Sequence, residues 1–127
     1  MKRMDSLVLD EKDMEAIDLF EDLGMPKNLA KSLMYICQVD ECTSSDVEHG
    51  ADLRQPEVSI AMQEMRRKGW IRKREKKKEG KGRPVHLYKM NKNLPDILKS
   101  FEQEKMKEVE TIEKSLSNLR ELMDNHS

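Results

Sequence analysis

The chain has 127 residues, of which 39% are charged and 4% aromatic, so its core has to rest on Leu, Ile, Val and ten Met. That length suits one modest domain with an appendage and excludes two full cores. No run approaches the roughly 18 apolar residues of a membrane span, and the first fifteen residues lack a signal peptide's apolar stretch and cleavage site. The expectation is a cytoplasmic protein that keeps Cys37 and Cys42 as reduced thiols, with Cys37 as a small core residue.

The formal net charge of −1 conceals a strong partition. Residues 1–53 carry 5 Lys/Arg against 13 Asp/Glu, a net of −8. Residues 54–92 carry 14 against 4, a net of +10, and residues 93–127 carry 5 against 8, a net of −3. Positive potential concentrated on one contiguous third of a chain is suited to a polyanion.

The apolar spacing of Met14, Ile17, Leu19, Phe20 and Leu23 predicts a first helix from Glu11 to Leu23, closed by Gly24. Pro26 suits a first helical turn, and Leu29, Ala30, Leu33, Met34, Ile36 and Cys37 mark a second helix to about Val39. Thr43 and Asp46 form a capping-box pair that opens a short third helix carrying Val47. After a break at Asp52 and Leu53, Pro56 opens a fourth helix to Lys68. Its apolar stripe is Val58, Ala61, Met62 and Met65, and Gly69 closes it.

Trp70 to Arg72 and Val85 to Tyr88 read as two short strands around a basic hairpin tip, Lys76 to Pro84. Leu94 to Met123 reads as one long helix. The expected architecture is mainly α with a small β-hairpin wing (α+β). Residues 1–92 form a winged helix-turn-helix domain, and residues 93–127 form a long, coiled-coil-like C-terminal helix.

Two helices joined by a short turn, the second presenting polar and basic residues, suit the major groove of duplex DNA. With Val58, Met62 and Met65 turned to the core, Gln55, Glu57, Ser59, Ile60, Gln63, Arg66 and Arg67 face outward. Gln pairs bidentately with adenine, Ser bonds several bases and Ile packs on a thymine methyl, which makes Gln55, Ser59, Ile60 and Gln63 the candidate base readers. Arg54, Arg66, Arg67 and Lys68 suit phosphate. Lys77, Lys78, Lys81 and Arg83 on the hairpin tip suit the backbone or an adjacent minor groove.

The run DVEHGADLRQPEVS from Asp46 to Ser59, followed by Met62, Met65 and Lys68-Gly69-Trp70-Ile71, resembles the helix-turn-helix core of the ArsR, MarR and TrmB regulators. It is most similar to archaeal transcriptional regulators of that superfamily, over roughly residues 29–90. Such a resemblance implies a winged helix-turn-helix fold and a role in transcription regulation. Two positions depart from the pattern: Asp52 stands where Gly is common in the turn, and Arg54 where Ser is common as N-cap.

Each feature also has a plainer reading. A charge run is more often a solvated face than a binding site; here its position after a recognition-like helix and between two strands favours nucleic acid. Met residues most often fill gaps in a core or a dimer contact. Cys37, Cys42 and His49, with His86 or His126, are too scattered for a dense metal motif, so no metal or other cofactor is expected. No catalytic constellation is visible, and an enzyme is not expected.

Val109, Ile112, Leu116, Leu119 and Met123 recur at spacings of 3, 4, 3 and 4, a heptad seam of about two repeats. Lys105 interrupts its upstream continuation through Leu98 and Phe101, and residues 94–101 are expected to pack on the winged domain. The seam is expected to pair two copies of the chain, setting two recognition helices near 34 Å apart, one turn of duplex. The sequence thus points to a homodimeric regulator that binds specific double-stranded DNA. The alternative is a protein-interaction adaptor on the same fold with only nonspecific nucleic-acid binding.

Overall fold

A computed structural model describes residues 8–76 and 84–126 of the chain. The elements run α1 (Glu11–Asp22), α2 (Lys27–Ile36), α3 (Ser44–Gly50), α4 (Gln55–Arg67), β1 (Ile71–Lys76), β2 (Val85–Met90) and α5 (Leu94–His126). The chain divides into two compact units, Met1–Asn93 and Leu94–Ser127. The mainly α architecture with a two-stranded hairpin and a long terminal helix is the expected one.

In the first unit α2 is the central element. Leu29, Ala30, Ser32, Leu33, Met34, Tyr35 and Ile36 are all buried, and α1, α3, α4 and β2 pack around them. The buried hydroxyl of Ser32 donates to the Asn28 carbonyl at 2.9 Å, so no polar atom is stranded there. Ile17 and Phe20 from α1, Val47 from α3, Val58, Met62 and Met65 from α4, and Trp70, Ile71 and Tyr88 complete the core.

Local chemistry sets the helix ends. Asp10 caps α1 and Thr43 caps α3. Each accepts from the backbone N–H three residues on, at 2.9 and 3.2 Å, while Asp13 and Asp46 return the bond. Three helices then stop in the same way. Gly24, Asp52 and Gly69 have φ of 97°, 53° and 76°. The next N–H in each case reaches back five residues, Met25 to the Phe20 carbonyl, Leu53 to Glu48 and Trp70 to Met65, each at 2.9 Å. Met25, Leu53 and Trp70 are all buried. A left-handed residue followed by a buried apolar anchor is how a Schellman-type cap satisfies end carbonyls and redirects the chain.

Several sequence expectations are corrected. Leu19 and Leu23 are 63% and 51% exposed, because Ile17 and Phe20 take the inward face of α1 and Leu19 lies two positions off it. Helix α2 ends at Ile36 rather than Val39, since Gln38 and Val39 donate to carbonyls only three residues back. The Gln38 side chain also takes the Met34 carbonyl at 2.7 Å and bonds Asp13 at 3.0 Å. Cys42, not Cys37, is the fully buried cysteine, and neither is disulfide-bonded.

The hairpin is longer than expected. Trp70 lies in the turn, and the charged run Arg72 to Lys76 is itself strand, paired antiparallel from Ile71 opposite Met90 to Lys76 opposite Val85. Cys42 adds a one-residue bridge to Tyr88, with N–H···O distances of 3.0 and 2.7 Å. The hairpin is tied to the end of α4 where Asn91 donates from its backbone to the Trp70 carbonyl at 2.8 Å and from its side chain to Gly69 at 3.1 Å.

The second unit is α5, 33 residues and so about 50 Å long. Ile97 and Phe101 are buried. Met106, Val109, Ile112, Leu116, Leu119, Leu122 and Met123 are all exposed. Lys105 lies 5.2 Å from the Phe101 ring centroid and pairs with Glu108 at 3.2 Å.

Candidate nucleic-acid interface

Helix α4 presents two chemically different flanks on either side of its outermost line. At 100° per residue, Gln55, Ser59, Gln63 and Arg66 fall within about 80° of one another. These four, with Met62, form one wall of a cleft whose other wall is Lys73 and Tyr88 of the hairpin, with Ser44 at its edge. Among the described residues no carboxylate lines this cleft.

The acidic side chains of α4 lie on the opposite flank, engaged with neighbours. Glu57 accepts from the Arg54 backbone N–H at 2.9 Å and from the Asn28 side chain at 3.1 Å. It is therefore a structural tie between α2 and α4 rather than the outward-facing residue the sequence suggested. It thereby makes one half of a capping box; the other half, an acceptor for the Glu57 N–H, cannot come from the Arg54 side chain, which is a donor only. Glu64 pairs with Arg67 and Lys68, and the Arg67 guanidinium holds its carboxyl below the usual carboxylate range.

The candidate residues thus separate. Gln55, Ser59, Gln63 and Arg66 meet in the cleft. Ile60 stands on the outermost line of α4, 69% exposed and outside the cleft lining. Arg67 is turned to Glu64 on the far flank, and Arg54 is exposed ahead of the helix. Lys77, Lys78, Lys81 and Arg83 lie outside the described residues. The sequence reading left out Ser44 and held Lys73 only as part of the basic run, without singling it out. Strand alternation from Ile71 was the available signal for Lys73, because it places Lys73 on the face shared with Tyr88.

The hairpin's other face carries Arg72, Arg74 and Lys89. Arg74 makes a bidentate pair with Glu41 at 2.5 and 2.6 Å, fastening β1 to the α2–α3 connection. The Glu41 carboxyl is held low chiefly by that hydrogen bond, with the charges of Arg74, Lys89 and Lys76 adding to it. Arg72 stands directly opposite Lys89 in the register. Like charges across a strand pair repel, and a polyanion lying along the hairpin would relieve that repulsion.

The metal-ligand candidates do not converge. His49 Nδ1 lies 2.8 Å from the Ser45 carbonyl, and His86 faces Glu75 at 3.4 Å. Burial pushes the Cys42 thiol up to about 12 and the Cys37 thiol up to about 11, unlike a thiolate ligand. Among the described residues no group of three or more His, Cys, Asp or Glu is placed to hold a metal ion. No helix among them is long and apolar enough to cross a membrane.

A short helix, a tight left-handed turn, a second helix seated over the core and a two-stranded hairpin define a winged helix-turn-helix fold. Comparison with solved structures gives the same fold. The chain is similar to a possible transcriptional regulator from Methanosarcina mazei Go1, with a TM-score of 0.63 at 12% identity, over 83% of this chain and 87% of that one. It is also similar to TrmBL2, an archaeal chromatin protein described as showing a novel mode of DNA binding. There the TM-score is 0.59 at 16% identity, over 88% of this chain but 42% of that one. A third is MepR, a transcription regulator of the Staphylococcus aureus multidrug efflux pump MepA, with a TM-score of 0.50 at 16% identity, over 92% and 91% of the two chains. No protein-family model matches the chain, and no curated protein matches it by sequence.

Proposed function

We propose that the chain is a sequence-specific, double-stranded DNA-binding transcriptional regulator that acts as a homodimer. Helix α4 enters the major groove, and the basic hairpin follows the backbone or the adjacent minor groove. The observation that carries this reading is the cleft in which Gln55, Ser59, Gln63 and Arg66 of α4 meet Lys73 of the hairpin, with no carboxylate among its described lining residues. Gln63, Ser59 and Gln55 supply donors and acceptors for base edges, and Ile60 an apolar contact for a thymine methyl. Arg66 and Lys73, with Arg54 and the wing residues Lys77, Lys78, Lys81 and Arg83, supply phosphate contacts. Arg67 has a smaller share, since Glu64 neutralises it.

The names of the structural neighbours agree with this reading: one is described as a possible transcriptional regulator, one as a transcription regulator and one as a chromatin protein with a novel mode of DNA binding. Exposed Val109, Ile112, Leu116, Leu119 and Met123 on α5 supply the contact for a second copy. Duplex affinity measured at 50 and 200 mM salt tests the electrostatic part. With six or more phosphate contacts it falls about a thousandfold or more. A salt-independent affinity, or no binding at low salt, refutes the reading.

A further inference from the structure

We propose that the α5 helices of two copies pair antiparallel, centred between residues 117 and 118, so that Glu113 of each copy lies beside Arg120 of the other. The inference rests on the homodimer reading above and adds the direction and register of the pairing.

The exposed seam fixes the heptad phase. Spacings of 3, 4, 3 and 4 make Val109, Leu116 and Met123 a positions and Ile112 and Leu119 d positions. The flanking g positions are then Glu108, Ser115 and Leu122, and the e positions Met106, Glu113 and Arg120. All six flanking residues are exposed; of the three charged ones, Glu113 and Arg120 can face a partner helix, while Glu108 already pairs with Lys105 of its own helix.

A parallel pair in register sets each g residue against the e residue five places on in the other copy. Glu108 would then oppose Glu113 on both sides of the dimer, and Arg120 would meet only Ser115. An antiparallel pair sets a against d, with e beside e and g beside g. Centred on residue 114, it brings Glu113 against its own copy and seats Lys105 opposite Met123. Centred between 117 and 118, it layers Ile112 on Met123 and Leu116 on Leu119, each twice. It then sets Glu113 beside Arg120 twice, and Ser115 beside Leu122. Both antiparallel registers make four wholly apolar layers, with Lys105 against Met123 beyond them in the first and Val109 against His126 in the second; the in-register parallel pair makes five. The one centred between 117 and 118 alone pairs opposite charges, and it leaves Lys105 to the Phe101 ring and Glu108 of its own helix, where the structure has it.

The direction has a large geometric consequence. At 1.5 Å per residue the two Leu94 positions stand about 70 Å apart along the paired helices, against about 10 Å in a parallel pair. The two first units are therefore delivered from opposite ends of the pairing.

Sedimentation equilibrium on the full chain first reports whether it dimerises, and a monomer at all concentrations overturns the homodimer reading itself. Given a dimer, oxidative crosslinking of two variants reads the direction, with the unsubstituted chain controlling for Cys37 and Cys42. The expected result is a linked dimer from the double variant Ile112→Cys/Met123→Cys and none from Ile112→Cys alone. Crosslinking of Ile112→Cys alone shows a parallel pair and overturns this inference while leaving the dimer intact. The charges give an independent sign. Glu113→Arg should weaken the antiparallel dimer about tenfold, and Glu113→Arg/Arg120→Glu should restore it. A tighter dimer from Glu113→Arg also overturns the inference, because only a parallel pair would set the introduced guanidinium beside Glu108.

Discussion

Gly50 of α3 lies directly against the aromatic ring of Tyr35 in α2, so closely that a Cβ on Gly50 would overlap the ring's Cε2 and Cδ2 atoms. Tyr35 is 1% exposed. The close approach seats α3 on α2 and so sets the base from which α4 is presented. Gly50→Ala should therefore destabilise the first unit by about 1–3 kcal/mol through overpacking. Denaturant unfolding monitored at Trp70 checks this; an unchanged midpoint would show that the ring can yield.

The turn between α3 and α4 asks for the opposite substitution. Asp52 holds φ at 53° with a side chain where glycine carries no steric cost. Asp52→Gly should raise stability by about 0.5–1 kcal/mol, the relief of left-handed strain less the entropy glycine adds to the unfolded chain. A lowered unfolding midpoint would mean that the Asp52 carboxylate contributes more than its backbone conformation costs.

The division of the cleft into readers and anchors predicts two kinds of binding defect. Gln63→Ala should change which duplexes are preferred, with a loss of about 1–3 kcal/mol confined to one base position. Lys73→Ala should weaken all duplexes alike and reduce the salt slope by about 1. Titration of a preferred duplex and a scrambled one with each variant separates these outcomes. Identical behaviour of the two variants would remove the distinction.

A buried thiol, a half-buried one and a buried phenol set the response to alkali. Burial first, then the charges of Asp46 and Glu41, raises Cys42 from 9.0 to about 12, and burial followed by Asp13 raises Cys37 to about 11. Burial, with Asp46 and Cys42, raises Tyr35 from 10.0 to about 12. A folded value above the unfolded one gives stability that is complete below the unfolded pKa and lost as pH rises through the folded one. Stability should thus hold to about pH 9 and decline between pH 9 and 12, with thiolate absorbance appearing only as the chain unfolds. Thiolate formation near pH 9 in the folded protein would contradict the burial of Cys42.

Much of the fold was legible because the signals were local. The Thr43 and Asp46 capping pair, the stripe of Val58, Ala61, Met62 and Met65, and the turns at Gly24 and Gly69 all depend on residues within about two helical turns. The errors arose where tertiary packing chose between local options. Leu19 and Leu23 fit a loose apolar pattern, yet Ile17 and Phe20 took the face toward α2. Cys37 sat on an apolar run, but Cys42 was drawn into the core by its bridge to Tyr88. The first strand was cut short at Arg72, and its continuation to Lys76 was missed, because side-chain charge hides a strand whose pairing is made by backbone groups.

The candidate site was legible in part for the same reason. The outward direction of Gln55, Ser59 and Gln63 follows from helical periodicity alone. Their separation from Ile60 and Arg67 does not, since it depends on where the hairpin lies against α4. Glu57 looked solvent-facing until α2 supplied Asn28 as its partner.

Selection of duplexes from a random library by the full chain tests the central claim most directly. The expected result is a consensus of two inverted half-sites, in which Gln63→Ala alters the same base position in each. Enrichment of no consensus, with all sequences retained alike, would contradict sequence-specific readout by α4 and favour the adaptor reading.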